Sequence, residues 1–453
     1  MPKPYKKTNR PPVKAPEKKI SKKAEEKPSV LKTIWFAVLI LLAVTILYQI
    51  IPAGKDAVSE ATSLKFSFAS WFDGSFQKKY EENLKTYSNF GKKLTPLKNQ
   101  IDYLLFNKIN VNGFTFGKDH YIFSTGYIDA YLGRDYAGDK VITEKIRKAK
   151  VIQDTLKKKG IDVIYIFAPG KGTFCTEYLP SKYNRLSRHL TNYETYIAKS
   201  REYNINYIDF QSWFLKIKPL SKYPLFPQFG HHWSYYGECL AADSIIRYIE
   251  KIHNCSLPHL TWSNVEYPSE PKVRDGDIIK KANLMKEPVS IPMAYPDLQY
   301  TAGKEAKPIK VLGIGDSYYR GFLYLGVMQN VFDNGEFWYY YNTVVPETNP
   351  VKEVWEYDLK EKIEENKVIL ILNSDGNLPR MGSGFIEDAY LLYTNPKEYK
   401  KYYEKKRAIS VQKKRIKQNP DLFGEAILLS VKLHIREDSA LTLKALELIQ
   451  NNK

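Results

Sequence analysis

The chain has 453 residues, with 69 Lys and Arg against 50 Asp and Glu, a formal net charge of +19. Three cysteines, none in a CxxC pair, give no support to a disulfide framework, a zinc site or a thioredoxin-like redox motif, although a bridge between Cys239 and Cys255 across the end of one helix stays open. No internal repeat is visible.

Residues 1–32 carry eleven Lys and Arg and three Glu among prolines, with almost nothing apolar to bury, which predicts a disordered basic tail. Residues 33–51 (TIWFAVLILLAVTILYQII) run without a charge, and at about 1.5 Å per residue they reach roughly 28 Å, the thickness of a hydrocarbon core. No small-residue cleavage site follows, so 33–52 reads as a retained transmembrane helix and not as a secretory signal. The positive-inside rule keeps the tail in the cytoplasm and sends residue 53 onward to the periplasmic or outer side of the cytoplasmic membrane, where nucleic acid is not an expected partner. Residues 53–113 read as a helical neck, with amphipathic stretches at 76–93 and 97–106 ending in the turn former Asn112-Gly113. FTFGKDHYIFS (114–124) reads as a hairpin.

Helices then alternate with short apolar strands. A helix over 144–159 stops at Gly160, and strands are predicted at 161–167, 206–210, 310–315, 336–341 and 367–372. Further helices are expected around 191–202, 234–252, 321–332 and 355–365. Strands apolar on both faces and separated by helices indicate an α/β domain, here 114–395, with a mostly parallel sheet whose ligands bind beyond the carboxyl ends of the strands. Residues 396–453 form a helical extension that opens with ten Lys and Arg between 397 and 417. A solvated helix followed by a small helical cap accounts for that charge; docking on a membrane surface or a partner is the alternative.

Gly170-Lys171-Gly172-Thr173 follows a strand as a phosphate loop would, but Tyr165 and Gly172 stand where such a loop needs Gly and Ser or Thr, which leaves Lys171 to touch substrate or structure. Gly315-Asp316-Ser317 lies where strand 310–315 ends. A nucleophilic Ser needs a tight strand-to-helix turn that exposes its hydroxyl beside backbone N–H groups; the plain alternative is a helix cap. His231-His232-Trp233 precedes a helix whose expected cap is Ser234. Adjacent histidines point apart and no third ligand is near in sequence, so a general base fits better than a metal pair.

The ordered set GKDHYIF (117–123), APGKGTFCTEYLP (168–180), NYIDF (206–210), HHWSYYG (231–237), DGDI (275–278) and GDSYYRGF (315–322) resembles the periplasmic alginate O-acetyltransferase family, the AlgJ/AlgX-like, DHHW-type relatives of SGNH hydrolases. WFDGSFQKKYEENL (71–84) and LKNQIDYLLFNK (97–108) resemble the form of this domain found in Bacteroidetes surface-polysaccharide loci. The resemblance implies that Ser317 is the nucleophile and His232 the general base, that Asn373 after the last strand completes an oxyanion hole, and that no cofactor is used. Tyr318, Lys171 and His231 are further candidates for oxyanion or substrate contacts. One departure matters: the Asp that the family carries two residues before its His is Gly230 here, and Asp275, Asp277 or a backbone carbonyl is expected to orient the imidazole instead. The resemblance further implies transfer of acetyl to a polysaccharide, with a multipass membrane-bound O-acyltransferase as donor. An acetyl esterase using the same residues and a non-catalytic polysaccharide-binding protein are the competing readings.

Overall fold

The computed structural model describes residues 89–451 apart from 184, 273 and 334–335, together with 35–36, 38–40, 67, 70–71, 74 and 76. The tail expected at 1–32 lies outside the described residues, as do the membrane span at 33–52 and the neck up to 88 except for those few positions. Among the described residues no helix is long and apolar enough to cross a membrane. Contacts divide the chain into residues 1–95 and 96–453, and apart from the start of one helix at Asn89 the features that follow belong to the second unit.

The neck's second stretch is helical, within Asn89–Phe106. It is pinned by Asn99, whose Nδ2 donates to the Ala282 carbonyl at 2.8 Å. The expected hairpin forms as β1 (Phe114–Phe116) and β2 (Ile122–Ser124), paired antiparallel.

The central sheet contains β3 (Asp162–Ala168), β4 (Tyr207–Asp209), β7 (Val311–Gly315), β8 (Phe337–Tyr339), β9 (Thr343–Val345) and β10 (Val368–Ser374) in the order β4-β3-β10-β7-β8-β9. All neighbouring pairs are parallel except β8 and β9. A separate antiparallel ribbon joins β5 (His259–Glu266) to β6 (Tyr295–Thr301).

The strands' period of two sorts their side chains into two cores. Ile164, Ile166, Leu370 and Leu372 face one layer with helix Tyr235–His253, while Val163, Tyr165, Ile369 and Ile371 face the other with helix Asp139–Lys157. That second helix presents Ile142, Ile146, Ala149, Ile152 and Leu156, spaced three and four apart, and the chain leaves it through Gly160 at φ +74°. Burying an Ile or Leu side chain fully contributes about 1.5–3 kcal/mol, so these two layers hold the sheet rigid beneath whatever sits on its carboxyl edge.

Four details differ from expectation. The run 336–341 is not one strand, because Tyr340 and Tyr341 take φ near +50° and turn the chain back into β9. The helix expected over 321–332 is two short ones, Arg320–Tyr324 and Val327–Asn330. The β5–β6 ribbon was not expected. All three cysteines are free, so no bridge joins Cys239 to Cys255.

The C-terminal extension is three helices, Pro396–Gln418, Pro420–Leu433 and Glu437–Asn451, which enclose a small core of Ile416, Ala426, Leu441 and Ala445. The first helix docks on the domain: Tyr403 donates to the carbonyls of Trp355 and Tyr357, and Lys406 pairs with buried Asp388 at 2.7 Å. This is the helical-cap reading of the basic segment.

Candidate active site

The Ser317 turn is built by what β7 lacks. A Cβ at Gly313 would lie 2.3 Å from the Tyr319 ring, and one at Gly315 2.7 Å from the Tyr319 Cβ. Glycine at both positions lets Tyr319 fold back over its own strand, and the chain between them, residues 316–318, turns sharply out of the sheet. Asp316 fixes the turn. Its Oδ1 accepts from the Tyr318 N–H at 2.9 Å, and its Oδ2 accepts from the Ser374 N–H at 2.8 Å, the Ser374 hydroxyl at 2.6 Å and Asn377 at 2.8 Å. The carboxylate therefore ties the end of β7 to the end of β10. The following helix is flanked by Tyr319, not Ser317, so the capping alternative for Ser317 does not apply; its hydroxyl is free for other work.

That hydroxyl meets His232, with Nε2 2.8 Å from Ser317 Oγ. The imidazole comes from the loop ahead of helix Tyr235–His253, whose cap is Ser234 as expected: Ser234 Oγ accepts from the Gly237 N–H at 3.0 Å. Lys171, 1% exposed, holds the same loop from beneath by donating to the carbonyls of Gln228 at 2.9 Å and Gly230 at 3.0 Å.

The carboxylate missing at position 230 is supplied from elsewhere. A Cβ on Gly230 would lie 2.7 Å from the Arg274 carbonyl oxygen and the Pro227 ring, so no side chain fits there. The segment that fills this space delivers Asp277, whose Oδ2 lies 3.7 Å from His232 Nδ1 and whose Oδ1 accepts from the His231 N–H at 3.2 Å. Asp275 is not the partner. It is buried and accepts from the Tyr235 N–H at 3.2 Å, at the start of the helix.

At 3.7 Å the Asp277 contact is too long for a hydrogen bond, and Nδ1 has no other partner among the described residues. Burial first, then Arg274, His231 and Lys281, hold the His232 imidazole well below the ordinary histidine value. Burial raises the Asp277 carboxyl, against the pull of Arg274 and Lys281. The distance would class the pair as ionic, yet both directions favour uncharged forms. We take the resting imidazole as neutral, since desolvation outweighs attraction across such a gap. A neutral imidazole carrying its proton on Nδ1 is the form able to accept a proton from Ser317 at Nε2, and Asp277 lies on the Nδ1 side, where the charge of the resulting imidazolium would face it.

The remaining candidates are engaged elsewhere. Lys171 is buried in the fold beneath the loop, and burial pushes its ammonium down to about 8. Asn373 sits on the layer of β10 away from Ser317, its Oδ1 accepting from the Gly382 N–H at 3.0 Å, which removes it from the expected oxyanion role. Tyr318 is buried with its ring against His232 and Trp233, and its N–H is committed to Asp316. The His231 ring stacks on Tyr127, with centroids 4.7 Å apart.

Sequence reasoning missed Arg274 and Glu238. Arg274 donates through Nη2 to the Ser317 carbonyl at 2.7 Å and through Nη1 to Glu238 at 2.8 Å. The only signal was an Arg beside the DGDI segment. A cavity of about 610 Å³, lined by Lys145, Tyr340, Arg380, Ser383 and Glu387 among others, opens past the carboxyl ends of β8 and β10, and neither Ser317 nor His232 lines it.

Residues 114–319 match the family described as SGNH hydrolase-like domain, acetyltransferase AlgX. No curated protein matches the sequence. Solved structures similar to this chain include the O-acetyltransferase domain of Pseudomonas putida AlgJ, 18% identical over 61% of this chain and 99% of that one with a TM-score of 0.41. Pseudomonas aeruginosa AlgX is 13% identical over 60% and 67%, with a TM-score of 0.38, and Bacillus cereus PatB1 is 12% identical over 58% and 95%, with a TM-score of 0.35.

Proposed function

We propose, from the match of residues 114–319 to the family of SGNH hydrolase-like acetyltransferases of the AlgX type, that the chain transfers acetyl through Ser317 to hydroxyl groups of a cell-surface or exported polysaccharide. The observation that carries this reading is the 2.8 Å contact between His232 Nε2 and Ser317 Oγ, which is within the reach that a general base needs. Ser317 Oγ attacks the carbonyl carbon of an acetyl donor while Nε2 takes the hydroxyl proton. The tetrahedral species collapses to an acetyl-serine ester, and the imidazolium gives its proton to the departing group. A sugar hydroxyl then enters, His232 takes its proton, and collapse releases the acetylated sugar as the proton returns to Ser317 Oγ. Asp277 stabilises each imidazolium as it forms, closing the 3.7 Å gap once there is a charge to meet.

The charge-free run at 33–51 anchors the domain on the side of the membrane that lacks cytosolic acetyl-CoA. The donor is therefore a multipass membrane-bound O-acyltransferase that passes acetyl across the bilayer. The anchor keeps the acceptor domain next to it.

The ester intermediate is tested by incubating the protein with p-nitrophenyl acetate, quenching in acid and mapping peptides by mass spectrometry. The expected result is an acetyl adduct on the Ser317 peptide that is absent from Ser317→Ala and accumulates in His232→Ala only slowly. An adduct located elsewhere, or none during turnover, sinks the reading.

A further inference from the structure

We propose that Arg274, held by Glu238, is a positioning residue for acyl transfer: its guanidinium grips the main chain of the nucleophile itself and couples the Ser317 turn to the His232 loop. The proposal rests on Ser317 and His232 being the reacting pair.

The guanidinium bridges two elements. Nη2 donates to the Ser317 carbonyl at 2.7 Å and Nη1 to Glu238 Oε1 at 2.8 Å. The same Oε1 accepts from Trp233 Nε1 at 3.0 Å, and Trp233 directly follows the general base. One carboxylate oxygen thus receives a bond from the His232 loop and a bond from the arginine that holds the Ser317 turn. A one-atom drift of either loop breaks a bond in this chain.

The ensemble is rigid. Glu238 is 3% exposed and Trp233 1%. Glu238 rises from helix Tyr235–His253 into space left by Gly321, where a Cβ would lie 2.4 Å from the carboxylate. Burial raises the Glu238 carboxyl to about 7, and Arg274 opposes that rise as its largest counterweight; we take it as ionised against the guanidinium. A planar fork can serve two acceptors in fixed directions, which a lysine ammonium on a flexible stem does not reproduce. Arg274 also belongs to the segment that occupies the space over Gly230 and delivers Asp277. The arginine thus bonds the Ser317 turn, shares Glu238 Oε1 with the His232 loop and stands three residues before Asp277.

The charge has a second consequence. The groups facing His232 are Ser317, Tyr318, Asp277, His231, Arg274 and Lys281, and Arg274 is the largest charged contributor to keeping the imidazole neutral. Removing the cation lets His232 hold a proton at higher pH.

The test compares full-length wild type, Arg274→Met, Arg274→Lys and Ser317→Ala in turnover of p-nitrophenyl acetate across pH 4.5–8.5, with thermal unfolding as a check on folding. Arg274→Met is expected to lose about 10²-fold in kcat with KM within about threefold, the size of effect that a small misplacement of reacting groups produces. Its acid limb of kcat/KM moves to higher pH. Arg274→Lys restores the cation without the fork, so its acid limb stays near that of wild type while kcat recovers only in part. If Arg274→Met does not fold, the kcat of Arg274→Lys decides. Variants within twofold of wild type in kcat while Ser317→Ala is inactive overturn the positioning role alone. Full activity in Ser317→Ala overturns the acyl-serine reading, and the positioning role with it.

Discussion

Gly230 shows how one residue decides which carboxylate can approach His232. The backbone of residues 274–275 lies too close for any side chain there, so restoring an aspartate at its family position does not restore an orienting group. Gly230→Asp is expected to lower Tm and activity together, because the new atoms must displace the Arg274 carbonyl and the Pro227 ring, an overpacking that costs about 1–3 kcal/mol. Asp277→Asn leaves the fold intact and is expected to reduce kcat by about 10²- to 10⁴-fold, the upper figure being the loss seen when a triad carboxylate is neutralised. Circular dichroism melts beside steady-state kinetics separate the two. If Asp277→Asn keeps the kcat of wild type, the assignment of Asp277 is wrong; if Gly230→Asp rescues Asp277→Asn, position 230 admits a carboxylate and the steric account of Gly230 is wrong.

His232 sets the pH dependence. Its value is lowered by burial and nearby cations, so the neutral, proton-accepting form persists as pH falls through the ordinary histidine value of about 6.5. The profile of kcat/KM is expected to stay flat from pH 8 down past 6.5 and to fall only at lower pH. An acid limb centred at or above 6.5 would show that the imidazole is stabilised as a cation at rest.

At the scale of elements, Asp275 marks where helix Tyr235–His253 is fastened. It accepts the Tyr235 N–H, and burial, then the neighbouring Glu238, raises its carboxyl to about 8. A raised folded value means that its stabilising contribution is full below the unfolded value near 3.8 and is lost as pH rises through about 8. Asp275→Asn keeps an acceptor for the N–H without the titration. Its Tm is therefore expected to fall less than that of wild type between pH 5 and 8, and equal slopes in a pH series of melts would contradict this.

The apolar runs at 310–315 and 367–372 announced β7 and β10, and Ser234 announced the cap behind His232, because each signal is local: strand composition, a short polar residue before a periodic helix. The rest depended on contacts that no local pattern encodes. EFWYYY has strand composition throughout, yet Tyr340 and Tyr341 turn the chain in the left-handed region. Asn373 stands at a strand end as an oxyanion donor would, but the parity of β10 sends it to the opposite layer, whereas Ser374 and Asn377 reach Asp316. Asp277 and Arg274 lie at least 40 residues from both His232 and Ser317, and only the packing of their segment over Gly230 shows which acid and which base belong to the site.

Across the whole molecule, the carboxyl edge of the sheet carries the Ser317 turn on β7 and the Asp316 tie to β10, while the His232 loop is clamped from below by Lys171 and from the side by Glu238 and Arg274. Rigid layers on both faces leave the chemistry to loops at one edge, as the α/β reading of the sequence anticipated. The most direct test of the central claim is the acetyl content of surface glycan from cells carrying Ser317→Ala in place of wild type. Acetyl transfer through Ser317 predicts glycan depleted of O-acetyl groups; glycan with more acetyl would identify an esterase, and unchanged glycan would contradict a catalytic role for this serine.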